Sequence, residues 1–252
     1  MIKSRLNPAS YLIVFFFLTW IVLFEFLLPV NNVLPKPTIA LQSLHDLFRD
    51  YKLWWNYLTT LSTIYPSLII AYYFIFILFP LILGSNFLSN LISAVDSLSR
   101  YIPQIILAML LIIWFPSSNI TPFIFSFLIA FVSLVSRSKS LVESLPSDYD
   151  DMIKTFGVKE KIISRKILWK AVQPKLIQYM IKLNIHLWVS LIIFEFINLR
   201  SGMGVILRQI LQFKDLSAFW VYLFILVISI FISTQVINFI KRKFFFWEVQ
   251  GR

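Results

Sequence analysis

SDYDDMIKTFGVKEKIISRKILWKAVQPKL, residues 147–176, stands apart from the sequence on both sides of it. It is charged and carries one Gly, whereas 120–135 before it and 177–197 after it are strongly apolar. Ser147 or Asp148 is placed to cap a helix, with Asp150 and Asp151 in the first turn, where carboxylates meet the positive end of the helix dipole. Gly157 can end that helix in the left-handed conformation, which costs glycine little. A second helix is predicted to begin near Lys159. Ile162, Ile163, Ile167 and Val172 mark one side of it and Lys161, Arg165 and Lys166 the other, with Trp169 blurring the division. A basic amphipathic helix can lie on a membrane surface. A short capped helix ahead of it can instead dock into a groove on a soluble partner. A solvated loop with interfacial charges is the plainer alternative.

The sequence outside this stretch is lipid-soluble. Of 252 residues, 59% are hydrophobic and 14% charged, with 26 Phe and a mean hydropathy of +0.81. Soluble domains average about 45–50% apolar and about 25% charged residues, so a bilayer must solvate part of this surface. The composition predicts an all-α integral membrane protein. Tyr11–Val30 is roughly the 20 residues that cross a ~30 Å hydrocarbon core. It is longer than a signal-peptide core and is not followed by a small-residue cleavage site, so it reads as a retained span. Five further spans are expected near 57–83, 102–115, 120–135, 177–197 and 219–240, giving about six in one domain, 1–252. The third and fourth are joined by PSSN, a tight turn. The long basic loop is 137–175.

Charge sets the expected orientation, because Lys and Arg favour the cytoplasmic side. With the N-terminus inside, the inner segments hold sixteen Lys/Arg, nine of them between Arg137 and Lys175, and the outer loops hold six. Six spans then leave both termini cytoplasmic. The net charge of +11 is thereby an orientation signal rather than a nucleic-acid surface.

Little points to chemistry in the chain itself. No Gly-x-x-x-x-Gly-Lys-Ser/Thr loop is present to cradle a phosphate. His45 and His186 are far apart in sequence, and the absence of Cys excludes disulfides and thiolate metal sites. Polar residues inside spans are costly in lipid and tend to face protein or water. Asn184, Trp188, Leu191, Glu195 and Asn198 fall on one helical stripe, with His186 opposite, so Asn184, Trp188, Glu195 and Asn198 are candidates to line a translocation pathway. The alternative for Glu195 is hydration at the outer interface or pairing with Arg200; Glu25 has the same alternative. Thr60, Thr63 and Ser67 form a second stripe whose hydroxyls can be satisfied by their own helix.

The spacing Asp151-Met-Ile-x-x-x-Gly157, with Ile167-Leu168 ten residues on, resembles the cytoplasmic coupling loop of ABC importer permeases, which reads acidic-Ala-Ala-x-x-x-Gly and then Ile/Val-x-Leu-Pro. LPKPTIALQSLHDLF, LWWNYLTTL, IPQIILAMLLIIWF, LWVSLIIFEFINLRSGMGVIL and FFFWE resemble, in the same order, segments of the nitrate/sulfonate/taurine-type permeases. Met152 and Ile153 replace the two Ala, Lys170 stands where a Pro is usual, and the second span lacks the usual glycines. The resemblance implies the fold of a type I importer permease. It also implies coupling to an ATPase through Asp151, Met152, Ile153, Phe156 and Gly157. The cargo it implies is a small polar, often anionic solute such as nitrate, a sulfonate or taurine, with pyrimidine-type vitamin precursors carried by similar systems. The expected setting is a bacterial-type cytoplasmic (inner) membrane, with an ABC ATPase subunit, an extracytoplasmic solute-binding protein, a second permease copy and lipid as partners. ATP and Mg would bind the ATPase and no cofactor this chain, which would not be an enzyme. A stand-alone secondary transporter or channel, or a scaffold that does not transport, are the alternatives.

Overall fold

The computed structural model describes residues 15, 18–27, 35–116, 118–145 and 168–245. The chain is helical throughout these residues. A π-helical turn, Val22–Leu27, precedes α1 (Pro37–Arg49), α2 (Leu53–Gly84), α3 (Asn86–Tyr101), α4 (Gln104–Trp114) and α5 (Thr121–Glu143). Beyond 146–167, which lie outside the described residues, come α6 (Trp169–Asn198), α7 (Met203–Phe213) and α8 (Leu216–Phe244); the helices α5 and α6 take in the two ends of the expected loop 137–175.

Four of these helices are long and apolar enough to cross a membrane: α2 over Leu53–Ile82, and α5, α6 and α8. The pair α3 and α4, bent by 98°, makes a fifth if counted as one broken span. The break follows from Ile102-Pro103, since the residue before proline is held out of the helical region; Ile102 is extended, at φ −90° and ψ 111°. Of the first expected span, 11–30, residues 15 and 18–27 are described, with an apolar helix over Leu18–Leu27 that is shorter than a full span, so among the described residues four or five spans stand where the sequence suggested six. The fourth expected span, 120–135, is extended to Glu143, and the fifth starts earlier, at Trp169. The amphipathic α1, α3 and α7 were not anticipated as separate helices.

α2, α5 and α6 form the packed centre, with α8 against α6. Helices approach closely in membranes where residues are small. This chain, poor in Gly, uses Ala and Ser: Ser67 and Ala71 of α2 and Ser126 and Ala130 of α5 are all fully buried. Ser67 Oγ donates to Thr63 O of its own helix at 2.7 Å and lies 3.4 Å from Phe123 O of α5. Stacked rings fill the rest, as with Phe125 of α5 and Phe194 of α6 at 4.8 Å.

The two ends of the bundle differ in charge. Arg137, Lys139, Lys175 and Lys241 to Lys243 gather at the end where α6 begins. There Arg137 lies over the Tyr179 ring at 5.6 Å, and Lys139 Nζ donates to Ser89 O at 2.8 Å and to Ser93 Oγ, fastening α3 to α5. At the opposite end Arg200 donates to Asn119 Oδ1 at 2.9 Å and to Pro116 O at 2.8 Å. The suggested Arg200–Glu195 pair is not formed, because Glu195 is turned inward.

Candidate functional site

α7 starts at Gly202, which has no side chain to cap it and sits at φ 111°. Three successive backbone N–H groups at this helix start are instead satisfied by side chains from other helices. Gly202 N donates to Asn56 Oδ1 at 2.8 Å, Met203 N to Thr60 Oγ1 at 2.9 Å and Gly204 N to Glu195 Oε2 at 3.0 Å. Thr60 Oγ1 in turn donates to Glu195, at 2.8 Å from Oε1 and 3.0 Å from Oε2. Tyr222 of α8 donates to Met203 O at 2.8 Å. A carboxylate at a helix start meets both free donors and the positive end of the dipole, which is how Glu195, only 1% exposed, is accommodated inside the protein.

The node requires glycine twice. A Cβ on Gly202 would lie 2.0 Å from Glu195 Cδ, and one on Gly204 2.2 Å from Ile192 O. The first clash is with the carboxylate itself, the second with the α6 backbone. The node also reaches the α1–α2 turn: Asn56 Nδ2 donates to Tyr51 O at 3.1 Å, and Tyr51 OH to Asp215 Oδ2 at 3.3 Å. Burial first, then the Asp215 carboxylate, push the Tyr51 hydroxyl up to about 12, so it stays protonated and donating. Asp215 also caps α8 through Ala218 N at 3.0 Å.

The far end of α6 is held differently. Trp169, the first residue of the helix and nearly the first described residue after 145, sits among the rings of α2. Its centroid is 5.7 Å from Tyr72, 5.4 Å from Phe76 and 5.0 Å from Phe79. Gln173 Nε2 adds one hydrogen bond, to Tyr72 OH at 2.8 Å.

The expected stripe on α6 exists, but it turns toward the protomer's own helices. Asn184 donates to Ser233 Oγ of α8 at 2.8 Å, Trp188 packs 6.3 Å from the Tyr57 ring of α2, and Glu195 is held in the node. All three are buried, and Asn198 is half-buried. Asn184 Oδ1 and Trp188 Nε1 lack hydrogen-bond partners among the described residues, so the stripe is less well satisfied in mid-span than at Glu195. His186, on the opposite side, is exposed and meets Gln104 of α4. Glu25 accepts from Thr38 Oγ1 at 3.2 Å. Asp151, Met152, Ile153, Phe156 and Gly157 lie outside the described residues.

Asn56 and Thr60 were missed as site residues. Thr60 does bond its own helix, to Asn56 O at 3.3 Å, but its shorter contacts are 135 and 143 residues away. The available signal was Glu195 followed by Gly202-Met-Gly204, which pairs a buried acid with a glycine-lined helix start.

Residues 77–245 match the family model described as binding-protein-dependent transport system inner membrane component, and the chain belongs to that family. It is an all-α, multi-pass inner-membrane permease subunit of the ABC transporter type, a transport component rather than an enzyme. No curated protein and no solved structure matches the chain.

Proposed function

We propose that the chain is the transmembrane subunit of an ATP-driven importer, with ATP hydrolysed by a separate subunit docked on the basic loop. The observation that carries this reading is the family match, which runs through the loop and the spans on both sides of it. The structure supports it physically. The first described residues after the loop lead into Trp169, which is 4% exposed and wedged into α2, so a displacement of the loop would reach two long helices at once. Such a link is what a coupling free energy between two sites needs.

In this reading Asp151, Met152, Ile153, Phe156 and Gly157 form the coupling element, and the Trp169 end of α6 with both termini is cytoplasmic. A second copy of the chain completes the pathway, and an external binding protein delivers a small polar, anionic solute of the nitrate, sulfonate or taurine kind. A secondary transporter would need a carboxylate free to bind its coupling ion within the spans. Glu195 is instead committed to Thr60 and Gly204.

Purification in mild detergent tests the reading. An ATPase subunit should accompany the folded permease and hydrolyse ATP in the complex. A folded permease that never carries such a subunit would remove the reading.

A further inference from the structure

The exposed face of α6 carries Ile185, Val189 and Ile193, with His186 as a polar residue among them. His186 is exposed and lies about 18 Å along the helix from Asn198 at the usual rise per residue, well inside the span. Its Nε2 is hydrogen-bonded with Gln104 Nε2, and Gln104 Oε1 accepts from Ser190 Oγ at 2.6 Å. On α8, Val227, Ile228, Phe231 and Ile232 are all more than half exposed and form an apolar reference surface. Polar side chains at such depth face protein or water rather than lipid.

Gln104 also borders a cleft of about 260 Å³ at the α3–α4 bend. Ser99 and Ser133 share its lining, with apolar walls from Leu107, Leu128 and Val132. That volume is under the roughly 300 Å³ at which pockets for drug-sized ligands begin, so it suits a solute of few heavy atoms. Ser99 Oγ is committed to Asp96 O at 2.8 Å. The Ser133 hydroxyl, the second Gln104 amide hydrogen and the His186 ring remain to donate to an incoming acceptor.

We propose that the α3–α4–α5 cleft and the adjoining His186 form a water-open site on the translocation route that contacts a small solute rich in acceptor oxygens. This rests on the importer reading and moves the solute-contacting face of α6 from Glu195 to His186. The difference follows from packing, since the Glu195 stripe is covered by α2, α7 and α8.

The chain has no native Cys, so single cysteines report cleanly. His186→Cys, Ser133→Cys and, as the lipid-facing reference, Val227→Cys are made in the full chain in native membranes and treated with a hydrophilic methanethiosulfonate. Thiols react as thiolates, which need water, so positions 186 and 133 should label about ten-fold faster than 227. Methanesulfonate at millimolar concentration should slow labelling at 133. Equal rates at all three positions would overturn the site, and fast labelling that methanesulfonate leaves unchanged would overturn the solute contact. The importer reading fails separately: fast, protected labelling in a permease that carries no ATPase would leave the site standing and remove the ATP-driven partner.

Discussion

The two ends of α6 are fixed by opposite kinds of interaction. At Glu195 the helix is joined to α2 and α7 by short, directional hydrogen bonds through a buried carboxylate, with no room for one added carbon at Gly202. At Trp169 it is joined to α2 by ring contacts at 5.0 to 5.7 Å and one hydrogen bond from Gln173. Hydrogen bonds weaken steeply when their geometry changes. Tilted aromatic pairs keep much of their attraction over a range of angles. The contrast suggests a pivot at the Glu195 end and a compliant contact at the Trp169 end, next to the basic loop. A lever needs one of each.

The strongest break in this contrast is Gly202→Ala. The backbone there is at φ 111° and the new carbon would fall on the Glu195 carboxyl. A cost of about 3 kcal/mol or more is expected, seen as loss of monodisperse permease from detergent extracts. Near-normal yield would mean that the helix start is not packed as described.

Glu195→Ala comes next. It leaves the Gly204 N–H buried without an acceptor, and Thr60 must turn to Asn56 O, for about 2 kcal/mol. Glu195→Gln keeps one carbonyl oxygen and should cost no more than about 1 kcal/mol. Thermal unfolding of the purified variants orders them, and equal midpoints for the two would contradict a hydrogen-bonding role for the carboxylate.

Trp169→Leu has a smaller expected effect on stability than Glu195→Ala. It keeps apolar volume and removes three ring contacts, for about 1 to 2 kcal/mol. Membrane abundance should hold, while ATP hydrolysis by the complex loses its dependence on solute and binding protein. Unchanged coupling would show that α6 does not take its displacement from this end.

How much of this was legible in the sequence differed by scale. The long apolar helices were readable because hydropathy over about 20 residues needs no knowledge of neighbours. α3 was passed over because its apolar positions, Phe87, Leu91, Val95 and Leu98, alternate with Ser, Asn and Asp and so depress the average. The stripe through Asn184, Trp188 and Glu195 was readable as an angle around a helix, but periodicity does not say which neighbour occupies that angle. Arg200 was the nearest cation to Glu195 in sequence, yet it turns to Asn119 and Pro116 while the carboxylate turns to α7. Thr60 showed only that its hydroxyl could bond its own helix; its partners are set by tertiary packing.

The central claim is that the basic loop receives an ATPase and passes its movement to the Trp169 end of α6. Single cysteines, Met152→Cys and Phe156→Cys, placed in the membrane-bound complex and treated with a short bifunctional thiol reagent test it most directly. The account predicts a crosslink to the ATPase subunit at both positions, and a yield that changes when ATP is added. An ATPase that is demonstrably bound, together with cysteines that react only with solvent or lipid reagents, would contradict it.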